Sequence, residues 1–110
     1  WESLPAAERK ALLALPGLEP LARRAPVAFD DEVRDALLGL VSGSGSDLLL
    51  LPFQDALGAR ERVNVPGTVN DENWSYRVPA LLSALLADQA SAERLSALAR
   101  RTGRLRVGAA

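Results

Sequence analysis

The chain has 110 residues, 48% of them apolar, and 13 Lys and Arg against 14 Asp and Glu leave a formal charge of −1. That length is one domain's worth of material, and no apolar run approaches the roughly 20 residues of a membrane-spanning helix. Cys and His are both absent, which removes disulfides, thiol nucleophiles, the usual soft metal ligands and the commonest general base.

The chain opens on Trp1 and contains no Met, as expected of a segment from a longer polypeptide. No charged, then apolar, leader pattern follows, so a cytoplasmic location is the expectation. Ser3 and Pro5 predict a helix through about Leu15, ended by Pro16-Gly17. Its apolar side would be Ala7, Ala11, Leu12, Leu13 and Leu15. Residues 18–28 carry Pro20 and Pro26 and leave room for one short helical turn. A helix then starts at Asp30 or Asp31, whose carboxylates can accept from free amides. Val33, Ala36, Leu37, Leu40 and Val41 give it the i, i+3, i+4, i+7, i+8 stripe. Ser42-Gly-Ser-Gly-Ser46 breaks it with a flexible connection.

Asp47-Leu-Leu-Leu-Leu-Pro52 is a short continuous apolar run between a Gly/Ser stretch and a proline, the pattern of a strand buried on both faces. A lone strand cannot satisfy its own backbone groups, and no other segment offers a convincing partner. Residues 53–58 read as one helical turn stopped by Gly58. Pro79 predicts a helix through about Asp88, with Leu81, Leu82, Leu85 and Leu86 apolar. Ser91 predicts the cap of a last helix, with Leu95, Leu98, Ala99 and Thr102 on one side and Arg100 and Arg101 in its final turn. The expected fold is mainly helical with one or two short strands.

Residues 62–79 stand apart. Pro66-Gly67, the amides Asn64, Asn70 and Asn73, the rings Trp74 and Tyr76 and the guanidiniums Arg62 and Arg77 crowd between segments rich in Leu and Ala. A loop of that length in a small domain is usually functional or disordered, and its aromatics and valines argue against disorder. Asparagine amides both donate and accept, which suits hydroxyl-rich ligands, although Asn also supports turns. Trp74 and Tyr76 fit sugar stacking or, the commoner use of large aromatics, core anchoring.

Among the acids, Asp30-Asp31-Glu32 fits a helix start and Asp71-Glu72 solvated loop polarity. Asp55 follows the apolar run, where strand ends face a ligand crevice; a cap or an arginine partner explains it equally well. No phosphate cradle, zinc spacing or nucleophile elbow is present, so no metal or cofactor is expected. The interspersed charges make no basic stripe, and neither nucleic acid nor membrane is an expected partner.

Leu51-Pro-Phe-Gln-Asp-Ala-Leu-Gly58, then Arg62, Asn64, Pro66-Gly67-Thr68, Asn73-Trp74, Arg77 and Pro79, resembles the carboxyl-terminal signature of the 4-alpha-glucanotransferases, or amylomaltases. The opening Trp1-Glu-Ser-Leu-Pro5 is similar to a stretch that in this family closely follows a His-Asp motif carrying a catalytic carboxylate. The link between Gly67 and Asn73 is longer and more acidic than the family's usual Gly-rich one.

The resemblance implies a retaining transglycosylase on a (β/α)8 barrel, which moves α-1,4-glucan segments between maltooligosaccharides through a glucosyl enzyme. Its nucleophile and acid/base carboxylates precede this segment, so the chain itself would be inactive and would need the remainder of the barrel. The implied layout is a helical segment over 1–46, the last barrel strand and turn over 47–58, a glucan-facing loop over 59–78 and C-terminal helices over 79–110. Within it Asn64, then Gln54 and Asp55, would contact substrate, supported by Arg62, Pro66, Gly67, Asn73, Trp74 and Arg77. Two other readings fit the residues: a non-enzymatic helical interaction module, and a hydrolytic relative within the wider α-amylase group.

Overall fold

The computed structural model describes residues 1–105, and these are helical, with no strand among them. Six helices follow in order: α1 (Ala6–Leu13), α2 (Glu19–Arg24), α3 (Asp31–Ser42), α4 (Phe53–Leu57), α5 (Leu82–Leu86) and α6 (Gln89–Arg101). Contacts divide the chain into one unit of Trp1–Leu50 with Leu98 onward, and a second of Leu51–Ala97.

In the first unit, α1 starts directly after Pro5 and is shorter than predicted, and none of its residues is fully buried. Leu12 and Leu13 are half-buried, while Ala7, Ala11 and Leu15 are exposed. Leu15 falls in the turn beyond the helix, where its N–H donates to Leu12 O at 3.0 Å. The N-terminal residues are tied down: Trp1 Nε1 donates to Pro26 O at 3.3 Å, and Phe29 N donates to the Glu2 carboxylate at 3.1 Å. α2 accommodates Pro20 in its first turn, where the missing N–H has no helical partner to lose.

α3 begins where its acids predict. Asp30 is the N-cap, accepting from Val33 N at 2.9 Å. The Arg24 fork grips the same carboxylate at 2.8 and 3.0 Å, and its Nε reaches Glu32 at 2.9 Å. The deepest face of α3 is rotated from the predicted stripe: Val33, Arg34, Leu38 and Ser42 are buried, whereas Val41 is exposed and Ala36, Leu37 and Leu40 are intermediate. Arg34 belongs to that face because Asp31 and Asp35 each meet its guanidinium at 2.9 Å, so its stem packs inward with its charge matched. An apolar stripe alone could not reveal that. The core of the unit is Leu18, Leu21, Val33, Leu38 and Leu98.

The Gly/Ser connection after α3 is held rather than free. Arg104 donates to Ser42 O at 2.6 Å, Ser46 O at 2.8 Å and Ser44 O at 3.3 Å. The guanidinium thereby satisfies carbonyls that glycine and serine leave bare.

The predicted strand at 47–51 does not form. The run is irregular, and Leu48 and Leu50 are 73% and 80% exposed. A strand needs a neighbour for every N–H and C=O along its edge, and no described segment provides one.

In the second unit, α4 follows Pro52 as predicted and ends at Gly58, whose φ of 78° lets Ala59 N reach Gln54 O at 2.8 Å. Arg94 of α6 donates to Ala56 O. α5 starts three residues later than Pro79 predicts and is short. Leu81 precedes it in extended backbone, and Leu81, Leu82 and Leu86 are exposed, with only Leu85 half-buried. α6 is capped by Asp88 rather than Ser91: Ser91 N donates to the Asp88 carboxylate at 3.0 Å. Arg100 and Arg101 occupy its last turn as predicted.

Candidate functional site

Residues 59–81 carry no regular structure beyond turns, yet they are extensively hydrogen-bonded. Pro66 and Gly67 form a tight turn in which Gly67 takes φ 79°, and both the N–H and the hydroxyl of Thr68 donate to Val65 O, at 3.3 and 2.7 Å. Proline fixes the first central position, and glycine alone takes positive φ at the second without steric cost.

Asn73 is the hub. Its Oδ1 accepts from Val65 N at 2.8 Å, and its Nδ2 donates to Thr68 O at 3.0 Å and Thr68 Oγ1 at 3.1 Å. The Asn70 carboxamide accepts from the N–H groups of Glu72 and Asn73 at 3.1 and 3.0 Å, an Asx turn that fixes the approach to the hub. Trp74 N donates to Val63 O at 2.7 Å. Residues 73 and 74 thus bind the backbone on either side of Asn64. The Asn64 amide takes part in none of these bonds, and the residue is half-buried.

Trp74 is no core anchor. Its side chain is 73% exposed and its backbone stands at φ 67°, the left-handed region that favours glycine. Tyr76 is half-buried, with its hydroxyl enclosed and unpartnered. Arg77 folds back on its own loop, donating to Ser75 O at 3.2 Å and Tyr76 O at 3.0 Å, while Arg62 is exposed.

The fold therefore gathers Asn64, Pro66, Gly67, Asn73, Trp74 and Arg77 into one bonded loop. Gln54 and Asp55 lie in the first turn of α4, the former buried and the latter exposed, and neither takes part in the bonds that organise the loop. Two loop organisers lacked an assigned role in the sequence reading, Asn70 and Thr68. The spacing of Asn70 two and three residues before Glu72 and Asn73 is the signal of an Asx turn.

Several acids outside the loop are committed to structure. Glu19, Asp30 and Asp88 are each held below the usual carboxylate range: Glu19 by the Gly17 N–H, Asp30 by the Val33 N–H and then Arg24, and Asp88 by the Ser91 hydroxyl and N–H. Asp35 and Asp31 raise the Arg34 guanidinium further above its ordinary value. An open groove of about 800 Å³ runs along α3 past Ala36, Gly39 and Gly43 to Arg101, but it contains none of the predicted site residues, and its Asp31 and Asp35 already bind Arg34.

The family model described as 4-alpha-glucanotransferase, glycoside hydrolase family 77, matches residues 1–83, and the chain belongs to that family. The family implies glucan substrates. The matched span contains the whole loop and ends within α5, leaving α6 beyond it. Searches of curated proteins and of solved structures return no match. No helix among the described residues is long and apolar enough to cross a membrane.

Proposed function

We propose that this chain is the glucan-contacting C-terminal part of a 4-alpha-glucanotransferase, which transfers α-1,4-glucan segments between maltooligosaccharides, and that the chain by itself does not catalyse the transfer. The observation that carries this reading is the ordered loop at 62–77 within the family-matched span: its backbone is fixed by Asn73 and Trp74 while the Asn64 amide is left out of the internal bonding. An amide that both donates and accepts, held in register but not consumed, suits a sugar hydroxyl.

Gln54 and Asp55, at the start of α4, would brace the rim of the site or reach substrate beside Asn64. Arg77 and the Pro66-Gly67 turn keep the loop in shape. The remainder of a (β/α)8 barrel would complete the site and cover the leucines of residues 48–50 and of α5.

Retaining transfer between glucans needs one carboxylate nucleophile and one carboxylic acid whose pKa is raised so that it can donate a proton. In the family that the sequence resembles, both reacting acids precede this segment, and both are accordingly assigned to the rest of the enzyme.

Maltotriose supplies the test. The 110-residue chain alone should release no glucose from it, and the polypeptide that joins this chain to a preceding barrel should release glucose while building longer maltooligosaccharides. Turnover by the isolated chain would refute the assignment of the acids. Glucose release by the longer polypeptide without longer products would favour the hydrolytic reading.

A further inference from the structure

Two surfaces of the first unit lack a partner, and their chemistries are complementary. One is a groove of about 530 Å³ between α1 and the end of α2, lined by Ala6, Leu13, Ala22 and Val27 and rimmed by Arg9 and Lys10. Its Val27 is 72% exposed. Elsewhere Arg24 and Arg34 face carboxylates, and Arg77, Arg101 and Arg104 donate to main-chain carbonyls. The side chains of Arg9 and Lys10 make neither kind of contact among the described residues. An apolar groove beside two unmatched cations fits an occupant that is apolar and carries a negative charge.

The other surface is the run at 47–50, and no residue of it lines the groove of its own chain. Leu48 and Leu50 are 73% and 80% exposed, while Leu49 between them is half-buried. Extended backbone alternates its side chains, so one leucine face lies on the chain and the other is bare. The run makes no backbone hydrogen bond among the described residues. Asp47, at the bend that opens it, is exposed and is not ion-paired among them. Two residues of extended chain span roughly 6.6 Å, close to the roughly 6 Å between residues four apart on a helix, so Leu48 and Leu50 keep step with successive turns of α1.

We propose that the chain self-associates by docking this run into that groove: Leu48 and Leu50 of one copy enter the α1–α2 groove of a second, and Asp47 pairs with Arg9 and Lys10 at its rim. Each copy carries one run and one groove, so a reciprocal exchange uses both and closes as a two-fold dimer. In the complete enzyme proposed above, the barrel would cover the same leucines. The contact therefore belongs to the chain on its own, and its failure leaves the glucan reading untouched.

Sedimentation equilibrium of the 110-residue chain should show monomer and dimer in exchange, with a dissociation constant on the order of 10 to 100 µM, as suits a small interface. Leu48→Asp combined with Leu50→Asp should abolish the dimer without lowering the melting temperature, because both leucines are bare in the single copy. Lys10→Glu and Asp47→Lys should each weaken self-association about tenfold. An equimolar mixture of those two variants should regain the dimer, since every run then meets a groove of opposite charge. Damage to the fold of either variant would give no such rescue. Leu82→Asp combined with Leu86→Asp should leave the dimer intact. A monomer at every concentration up to about 500 µM, well above the expected constant, overturns the proposal. So does a dimer that Leu82→Asp with Leu86→Asp abolishes, one that Lys10→Glu leaves unchanged, or a mixture that shows no rescue.

Discussion

Asn73 and Asn64 are the same residue type nine positions apart, and their surroundings give them opposite uses. Asn73 spends both ends of its amide inside the loop, on Val65 and Thr68. Truncating it to alanine removes these bonds from a largely exposed segment and should destabilise the loop by about 1–3 kcal/mol. Faster amide hydrogen exchange at Val65 and Trp74 is the expected signature, with the amides of α3 unaffected. Asn64→Ala removes an amide outside that network, so melting should stay nearly constant. In the complete enzyme, transfer from maltotriose should fall on the order of tenfold, the consequence of one lost hydrogen-bonding group in a buried complex. An equal loss of stability and activity would return Asn64 to a structural role. The sequence marks both asparagines as hydroxyl-seeking or turn-forming, and only the bonding pattern distinguishes them.

At the scale of elements, helix starts are where acids and sequence agree best, and where pH should act. Asp30 caps α3 and Asp88 caps α6, and both carboxyls are held below the ordinary aspartate range. A depressed folded pKa gives a contribution that is complete above the unfolded value and is lost as pH falls through the folded one. Melting temperature should therefore be flat from neutral pH down to the ordinary aspartate range and decline below it. Asp30→Asn, which keeps an acceptor oxygen but no charge, should flatten that decline while lowering stability at neutral pH through the lost Arg24 contact. An unchanged acid limb in Asp30→Asn together with Asp88→Asn would remove these caps as its cause. Asp30 was legible because an acid directly preceded a clear apolar stripe. Asp88 was obscured by Ser91, an equally good capping residue three positions on, and the choice between them lies in where the backbone turns.

At the scale of the whole molecule, apolar residues divide into those with a home and those without. Leu18, Leu21 and Val33 are 0–2% exposed in the first unit. Leu81, Leu82 and Leu86 are 70–77% exposed in the second. Leu21→Ala should cost about 2–4 kcal/mol, whereas Leu82→Ala should stay within about 0.5 kcal/mol in the isolated chain. Urea denaturation of the two variants checks the contrast. If the rest of a barrel covers α5 in the complete enzyme, Leu82→Ala becomes destabilising there. The Leu48 to Leu51 run follows the same logic: four consecutive leucines read as a buried strand, but burial requires a second surface and pairing requires a neighbouring strand.

The sequence by itself determined what is local: the acid-led start of α3, the helix start after Pro52, the stop at Gly58 and the Pro66-Gly67 turn. Each depends on a few neighbouring residues and the conformations open to them. Tertiary structure decided that Arg34 sits inside α3's buried face, that Arg104 pins the Gly/Ser connection, that Asn73 rather than Asn64 closes the loop, and that Trp74 faces solvent. Those outcomes depend on partners distant in the chain or on which of two like groups a backbone turn brings into reach. Periodicity and residue type carry no record of either.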